Sequence, residues 1–169
     1  RILAGKREHF SDTIGRAVVL TAVSARDRNR DRGVDVSAAA WFDDPVKLAA
    51  EGDIDIYVEL IGGSDGPALD SVRAALNRGI PVVTANKALL AHHGVQLAKL
   101  AQRKNTTILF EAAVAGGIPI IKTMREALRG NGVSRVYGIL NGTCNYMLTR
   151  MEREGIAFAD VLAEAQGLG

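Results

Sequence analysis

Runs of apolar residues with strand length alternate along this chain with longer stretches whose apolar positions recur at helical spacing. Ala17 to Ala25, AVVLTAVSA, is rich in β-branched residues and predicts a strand. Asp53 to Ile61, Pro81 to Ala85 and Thr106 to Phe110 predict three more. Between them lie helical patterns over Pro45 to Glu51, Pro67 to Arg78 and Lys87 to Lys104. Pro67 suits a first helical turn and Gly79 a C-terminal cap, while Leu89, Leu90, Leu97 and Leu100 fall near one helix face. Strand–helix alternation at this spacing predicts a parallel sheet with right-handed crossovers, a doubly wound, Rossmann-like α/β domain.

After Glu111 the texture changes to a Gly-rich turn, and a domain boundary is expected near residue 112. A helix is expected from Ile118 to Arg129, then a turn at Gly130 to Gly132 and a strand from Val133 to Leu140. Two helices follow, over Cys144 to Glu154 and Phe158 to Gln166, with Thr143 as a candidate N-cap. The opening RILAGKREHF reads as the tail of a helix, and LAEAQGLG stops as one finishes. Both ends look cut. A dinucleotide-binding fold begins with a strand and a G-x-G-x-x-G turn, so that turn is expected before Arg1.

Composition narrows the function classes. With 169 residues and 47% hydrophobic content, the chain can hold one good core, or one domain and part of another. A net charge of +2 without a long basic run argues against nucleic-acid binding, and 5% aromatics argue against a base-stacking platform. A single cysteine, Cys144, fits a reducing cytoplasm and excludes an internal disulfide framework. It reads as a small buried hydrophobe. No apolar run reaches the roughly 18 residues a membrane span needs.

The chemistry concentrates in three passages. In VVTANKALL a strand runs straight into Asn86, Lys87 and a helix, and the carboxyl ends of strands in such sheets are where cofactors and substrates bind. Lys87 reads either as a proton donor to a developing oxyanion or as a surface lysine in a first helical turn. The helix dipole disfavours a lysine there, which weakens the second reading. Gly62 and Gly63 permit close approach of a cofactor ribose or nicotinamide, and Thr84 and Asn86 could hydrogen-bond it; a plain loop is the other reading. Arg26, just past the second Rossmann strand, suits the 2′-phosphate of NADP, or else belongs to a solvated loop of mixed charge. Glu111 to Ile118 places a carboxylate before a small-residue turn, which suits a hard cation, or a tight turn whose glycines supply positive φ.

Five segments, VELIGG, VVTANKALLA, FEAAVAGGIPII, GILNGTCNYMLT and EAQGLG, stand in an order that resembles homoserine dehydrogenase. The resemblance runs from about Ala17 onward. It implies an NAD(P)-dependent oxidoreductase interconverting aspartate 4-semialdehyde and homoserine, on the route to threonine, methionine and isoleucine. It implies residues 1–112 as the NAD(P)-binding domain and residues 113–169 as the start of an α+β catalytic and dimerisation domain. It places Lys87 between nicotinamide and substrate, and Gly169 beside the nicotinamide. A structural Na+ would lie on Glu111 and the carbonyls of Val114, Gly116 and Ile118, and the enzyme would be a homodimer using NADPH or NADH. The turn at Asn141 to Thr143 would border the substrate pocket. The family's acidic substrate-binding residue, an aspartate and a second catalytic lysine would fall beyond Gly169. Rival readings are a dehydrogenase for another small aldehyde and an inactive Rossmann protein that binds nucleotide to regulate a partner.

Overall fold

A computed structural model describes residues 2–138 and 141–168. The chain forms two compact units, Arg1–Ile118 and Pro119–Gly169. In the first unit, helices α1 (Ile2–Gly5) and α2 (Arg7–Ile14) precede strand β1 (Ala22–Ser24). Strand β2 (Ala40–Phe42), helix α3 (Pro45–Glu51), β3 (Tyr57–Glu59) and α4 (Pro67–Asn77) follow. Then come β4 (Val82–Thr84), α5 (Lys87–Arg103) and β5 (Ile108–Leu109). All pairings are parallel: β1 with β2, and β4 between β3 and β5.

Register explains which residues are buried. Tyr57, Val82 and Ile108 lie side by side across the three-stranded sheet, and all three are buried. Val58, Val83 and Leu109 form the next row and point the other way, so Val58 and Leu109 stay exposed. One step further toward the carboxyl ends, Glu59 pairs with Thr84 on the buried side. The core beneath this face joins Leu48, Leu69, Val72, Leu76, Leu89 and Leu97 from α3, α4 and α5. Each fully buried leucine contributes roughly 1.5–3 kcal/mol.

Local chemistry ends these helices where the sequence turns. Gly79, at φ +77°, lets its own N–H reach Leu76 O and the Ile80 N–H reach Ala75 O, closing α4 with a left-handed cap that buries Ile80. Asn105 does the same for α5 at φ +50°, with Thr106 N–H donating to Ala101 O. Arg78 then donates to the carbonyls of Ala49 and Gly52, at 2.9 and 3.0 Å, and covers the C-terminal end of α3.

The elements depart from the sequence pattern in four places. β2 ends the alanine-rich apolar run Ala38 to Phe42, which lacks β-branched residues; its three residues become a strand because β1 lies beside them. Of the apolar run Ala17 to Ala25, only the three residues with partners in β2 pair. The helix expected from Ile118 to Arg129 is a short α6 (Ile120–Lys122) that widens over Thr123–Ala127, where Leu128 N–H reaches back five residues to Thr123 O. Residues 133–138 form no strand with any described residue, since a strand's backbone groups need a neighbour to pair with. Ile139 and Leu140, the end of that expected strand, lie outside the described residues.

In the second unit α7 (Gly142–Glu154) packs on α8 (Phe158–Leu168), burying Met147 and Val161. Asn141, rather than Thr143, caps α7: its side-chain oxygen accepts the Cys144 N–H at 2.8 Å. An N-cap oxygen must sit just outside the first turn, and Thr143 is already inside it. Cys144 is exposed, contrary to the buried reading, because the first turn of α7 lies outside the packed face centred on Met147. Tyr146 and Arg150 on α7 converge on Glu164 of α8, the hydroxyl donating at 2.6 Å and the guanidinium at 2.7 Å.

Candidate active site

The carboxyl ends of β3 and β4 meet around one carboxylate. Glu59, the last residue of β3, has no exposed surface. Its Oε1 accepts the N–H groups of Ile61 and Gly62, at 2.7 and 3.1 Å, and Asn86 Nδ2 at 3.4 Å. Its Oε2 accepts the Thr84 hydroxyl at 2.5 Å. Four donors offset the cost of burying a carboxylate. The sequence reading passed over Glu59 inside VELIGG. A signal was there: strand alternation puts this charged residue on the same face as Tyr57.

The turn that follows is shaped by this anion. Gly62 and Gly63 stand at φ +84° and +80°, and a Cβ on either would meet nothing within 4 Å. Glycine is therefore demanded by backbone conformation, not by lack of space. With two of its N–H groups turned inward onto Glu59, the turn is no phosphate cradle; it offers a side-chain-free surface instead. Gly62 is exposed there.

Asn86 joins this turn to α5. Its Nδ2 donates to Gly63 O at 2.7 Å, while its Oδ1 accepts Leu89 N–H at 3.0 Å and caps the helix. Thr84 Oγ1 accepts Asn86 N–H at 2.9 Å, and Thr84 is 1% exposed. Thr84 and Asn86 thus spend on the protein the groups that the sequence suggested for a ligand. Lys87 is the first residue of α5 and is exposed, and its ammonium enters no ion pair among the described residues. An ammonium held at that edge, next to a bare glycine turn, can stabilise negative charge on a small bound oxygen.

Arg26 lies two residues beyond β1, exposed. In its loop the interleaved aspartates accept backbone N–H groups: Asp27 from Asn29 at 2.8 Å, Asp31 from Gly33 at 2.7 Å. Arg28 and Arg32 stand over the Trp41 ring, 5.8 and 5.4 Å from its centre. The loop beyond β1 thus interleaves four guanidiniums with three carboxylates over residues 26–35.

The loop from Glu111 holds a different set of oxygens. Glu111 Oε1 accepts Gly117 N–H at 2.6 Å, folding the turn back on the carboxylate. Ala115 and Gly117 take φ +53° and +79°. The turn's own hydrogen bonds run to the carbonyls of Phe110, Glu111 and Ala115. The carbonyls of Val114, Gly116 and Ile118 are separate from these, and all three residues are exposed. An exposed carboxylate with such carbonyls close in sequence fits the donor chemistry of a hard cation. Gly169 lies outside the described residues.

Residues 1–111 match the family model described as the NAD binding domain of homoserine dehydrogenase, and residues 119–169 match that described as homoserine dehydrogenase. The chain belongs to the homoserine dehydrogenase family. It is 45% identical to the homoserine dehydrogenase of Neisseria gonorrhoeae over 168 residues, 99% of this chain and 38% of the relative. The chain thus spans little more than a third of that relative's length. A crystal structure of a homoserine dehydrogenase from Thiobacillus denitrificans superposes with a TM-score of 0.83 at 40% identity, covering 99% of this chain and 38% of the other. A hyperthermophilic archaeal homoserine dehydrogenase in complex with NADPH superposes at 0.68 and 28% identity, covering 97% and 46%. The Rossmann-like fold of the first unit, and its match to an NAD binding domain, rest on this membership. Among the described residues no helix is long and apolar enough to cross a membrane.

Proposed function

We propose that the complete protein interconverts aspartate 4-semialdehyde and homoserine with NAD(P)H, on the route to threonine, methionine and isoleucine. The observation that carries this reading is Lys87, exposed and without an ion-pair partner among the described residues, at a strand–helix junction beside the Gly62–Gly63 turn. When bound, the reduced nicotinamide supplies a hydride to the aldehyde carbon. Lys87 stabilises the negative charge that collects on the carbonyl oxygen and serves in its protonation. Gly62 gives the cofactor close approach to backbone, and Gly169 flanks the same ring by resemblance. Thr84 and Asn86 hold the rim that carries Lys87.

Arg26 supports NADP over NAD, because a guanidinium at this strand end suits a 2′-phosphate. Glu111, with the carbonyls of Val114, Gly116 and Ile118, is the proposed structural Na+ site. The cofactor-binding part is taken as residues 1–112, the catalytic and dimerisation part as beginning at residue 113. Resemblance supports a homodimer, and the lone Cys144 supports a cytoplasmic location.

The test follows nicotinamide absorbance with the complete protein, homoserine, and NADP or NAD, for wild type and Lys87→Ala. The variant is expected to lose about 10²–10⁴-fold in kcat with nucleotide affinity nearly unchanged. Equal loss of turnover and nucleotide binding would remove the catalytic role. Tight nucleotide binding without homoserine turnover in the wild type would move the argument to another aldehyde or to a regulatory protein.

A further inference from the structure

We propose that Glu59 is a positioning residue for the reaction: its buried carboxylate sets the Ile61–Gly63 turn and the start of α5 in one register, and so fixes where Lys87 stands against a bound nicotinamide. This inference rests on the reading that Lys87 serves hydride transfer.

Glu59 cannot touch a ligand, because it has no exposed surface. It nonetheless accepts four hydrogen bonds, two from its own turn and two from the end of β4 and the cap of α5. Oε1 gathers Ile61 N–H and Gly62 N–H from the turn and Asn86 Nδ2 from the cap of α5. Oε2 receives the Thr84 hydroxyl, and Thr84 Oγ1 in turn accepts Asn86 N–H. Asn86 then closes the circuit onto Gly63 O. Turn, strand end and helix start are thereby bonded through one side chain, and Lys87 is the next residue along.

Among the described residues Glu59 forms no ion pair, so the anion is held by neutral donors alone. Such a burial contributes little net stability; what it provides is a fixed acceptor pattern. Only a carboxylate supplies acceptors at both positions. Glutamine keeps the volume, yet its amide nitrogen either faces the three N–H donors gathered on Oε1 or faces Thr84, whose hydroxyl must then turn to accept and loses its own acceptor. Aspartate is one methylene short of spanning both sets of donors. Glu59→Gln therefore separates geometry from simple filling of space.

In the complete protein, Glu59→Gln is compared with wild type by thermal melting, by NADPH fluorescence titration, and by kcat and KM for homoserine. The expected result is a cooperative melt, saturable NADPH binding, a KM changed only a few-fold, and a kcat lower by roughly tenfold to a hundredfold. A purely structural residue would lower the melting temperature while kcat per folded site stayed at the wild-type value, and that result would overturn the proposal. If Glu59→Gln fails to fold, Thr84→Val removes the single donor to Oε2. A several-fold loss of kcat with an intact melt supports the role, and wild-type kcat overturns it. Wild-type protein that turned over no homoserine would overturn the reading of the reaction, and this role with it. Turnover in the wild type with an undiminished Glu59→Gln would overturn the role alone.

Discussion

His93 Nε2 lies 2.9 Å from Asp65 Oδ1, tying the middle of α5 to the loop that enters α4. The loop is the continuation of the Gly62–Gly63 turn, so the contact braces the outer edge of the candidate site. His93 Nδ1 is buried without a partner among the described residues. A bare lone pair is tolerated there better than an unpaired N–H, which favours the tautomer that donates from Nε2 to Asp65.

This contact has an acid-side signature. The Ser64 hydroxyl first, then His93, hold the Asp65 carboxyl below the ordinary carboxylate value. A carboxyl lowered in the folded state contributes stability that is present above its unfolded value, near pH 4, and lost as pH falls through the folded value. Melting temperatures of wild type and Asp65→Asn should differ most above about pH 4 and converge below it. A difference that is flat across that interval would show that Asp65 is not held in this way. Asp65 is exposed, so the effect is small and should weaken with added salt.

Arg26 is the place to look for cofactor preference. Losing one charge-assisted contact to a 2′-phosphate costs about 1.5–3 kcal/mol. Arg26→Ala in the complete protein should therefore raise the KM for NADP by roughly tenfold to a hundredfold and leave that for NAD within about twofold. Parallel changes in both would assign Arg26 to the solvated loop and move the 2′-phosphate contact elsewhere.

Glu111 controls the cation reading. Turnover measured against Na+ at constant ionic strength should show a dependence in the wild type that is absent in Glu111→Ala. Retained dependence in the variant would place the cation on other ligands. Loss of the Glu111–Gly117 bond also loosens the turn, so the melting temperature of the variant belongs in the same experiment.

Much of the local structure was legible in the sequence because it is decided within a few residues. Pro67 and Gly79 bracket α4 through their own backbone preferences. Lys87 stands where the pattern changes from period two to 3.6, at the start of α5. Family membership was legible too, since five spaced segments carry it without any fold. The positive φ of Gly62 and Gly63 also fits what glycine pairs at strand ends offer.

Other features exist only once distant segments meet. Ala40–Phe42 is a strand because Ala22–Ser24 lies beside it, and no run of three residues announces that. Residues 133–138 carry strand-like side chains and form no strand, for want of a described neighbour. Thr84 and Asn86 look like ligand contacts in a linear reading. The parallel register of β3 and β4 sets Thr84 beside Glu59, 25 residues earlier, and turns both side chains inward. Local chemistry fixed where α4 begins and ends and where Lys87 stands. Hydrogen bonds between strand ends, which depend on register rather than on neighbouring residues, decided that a buried carboxylate organises the site.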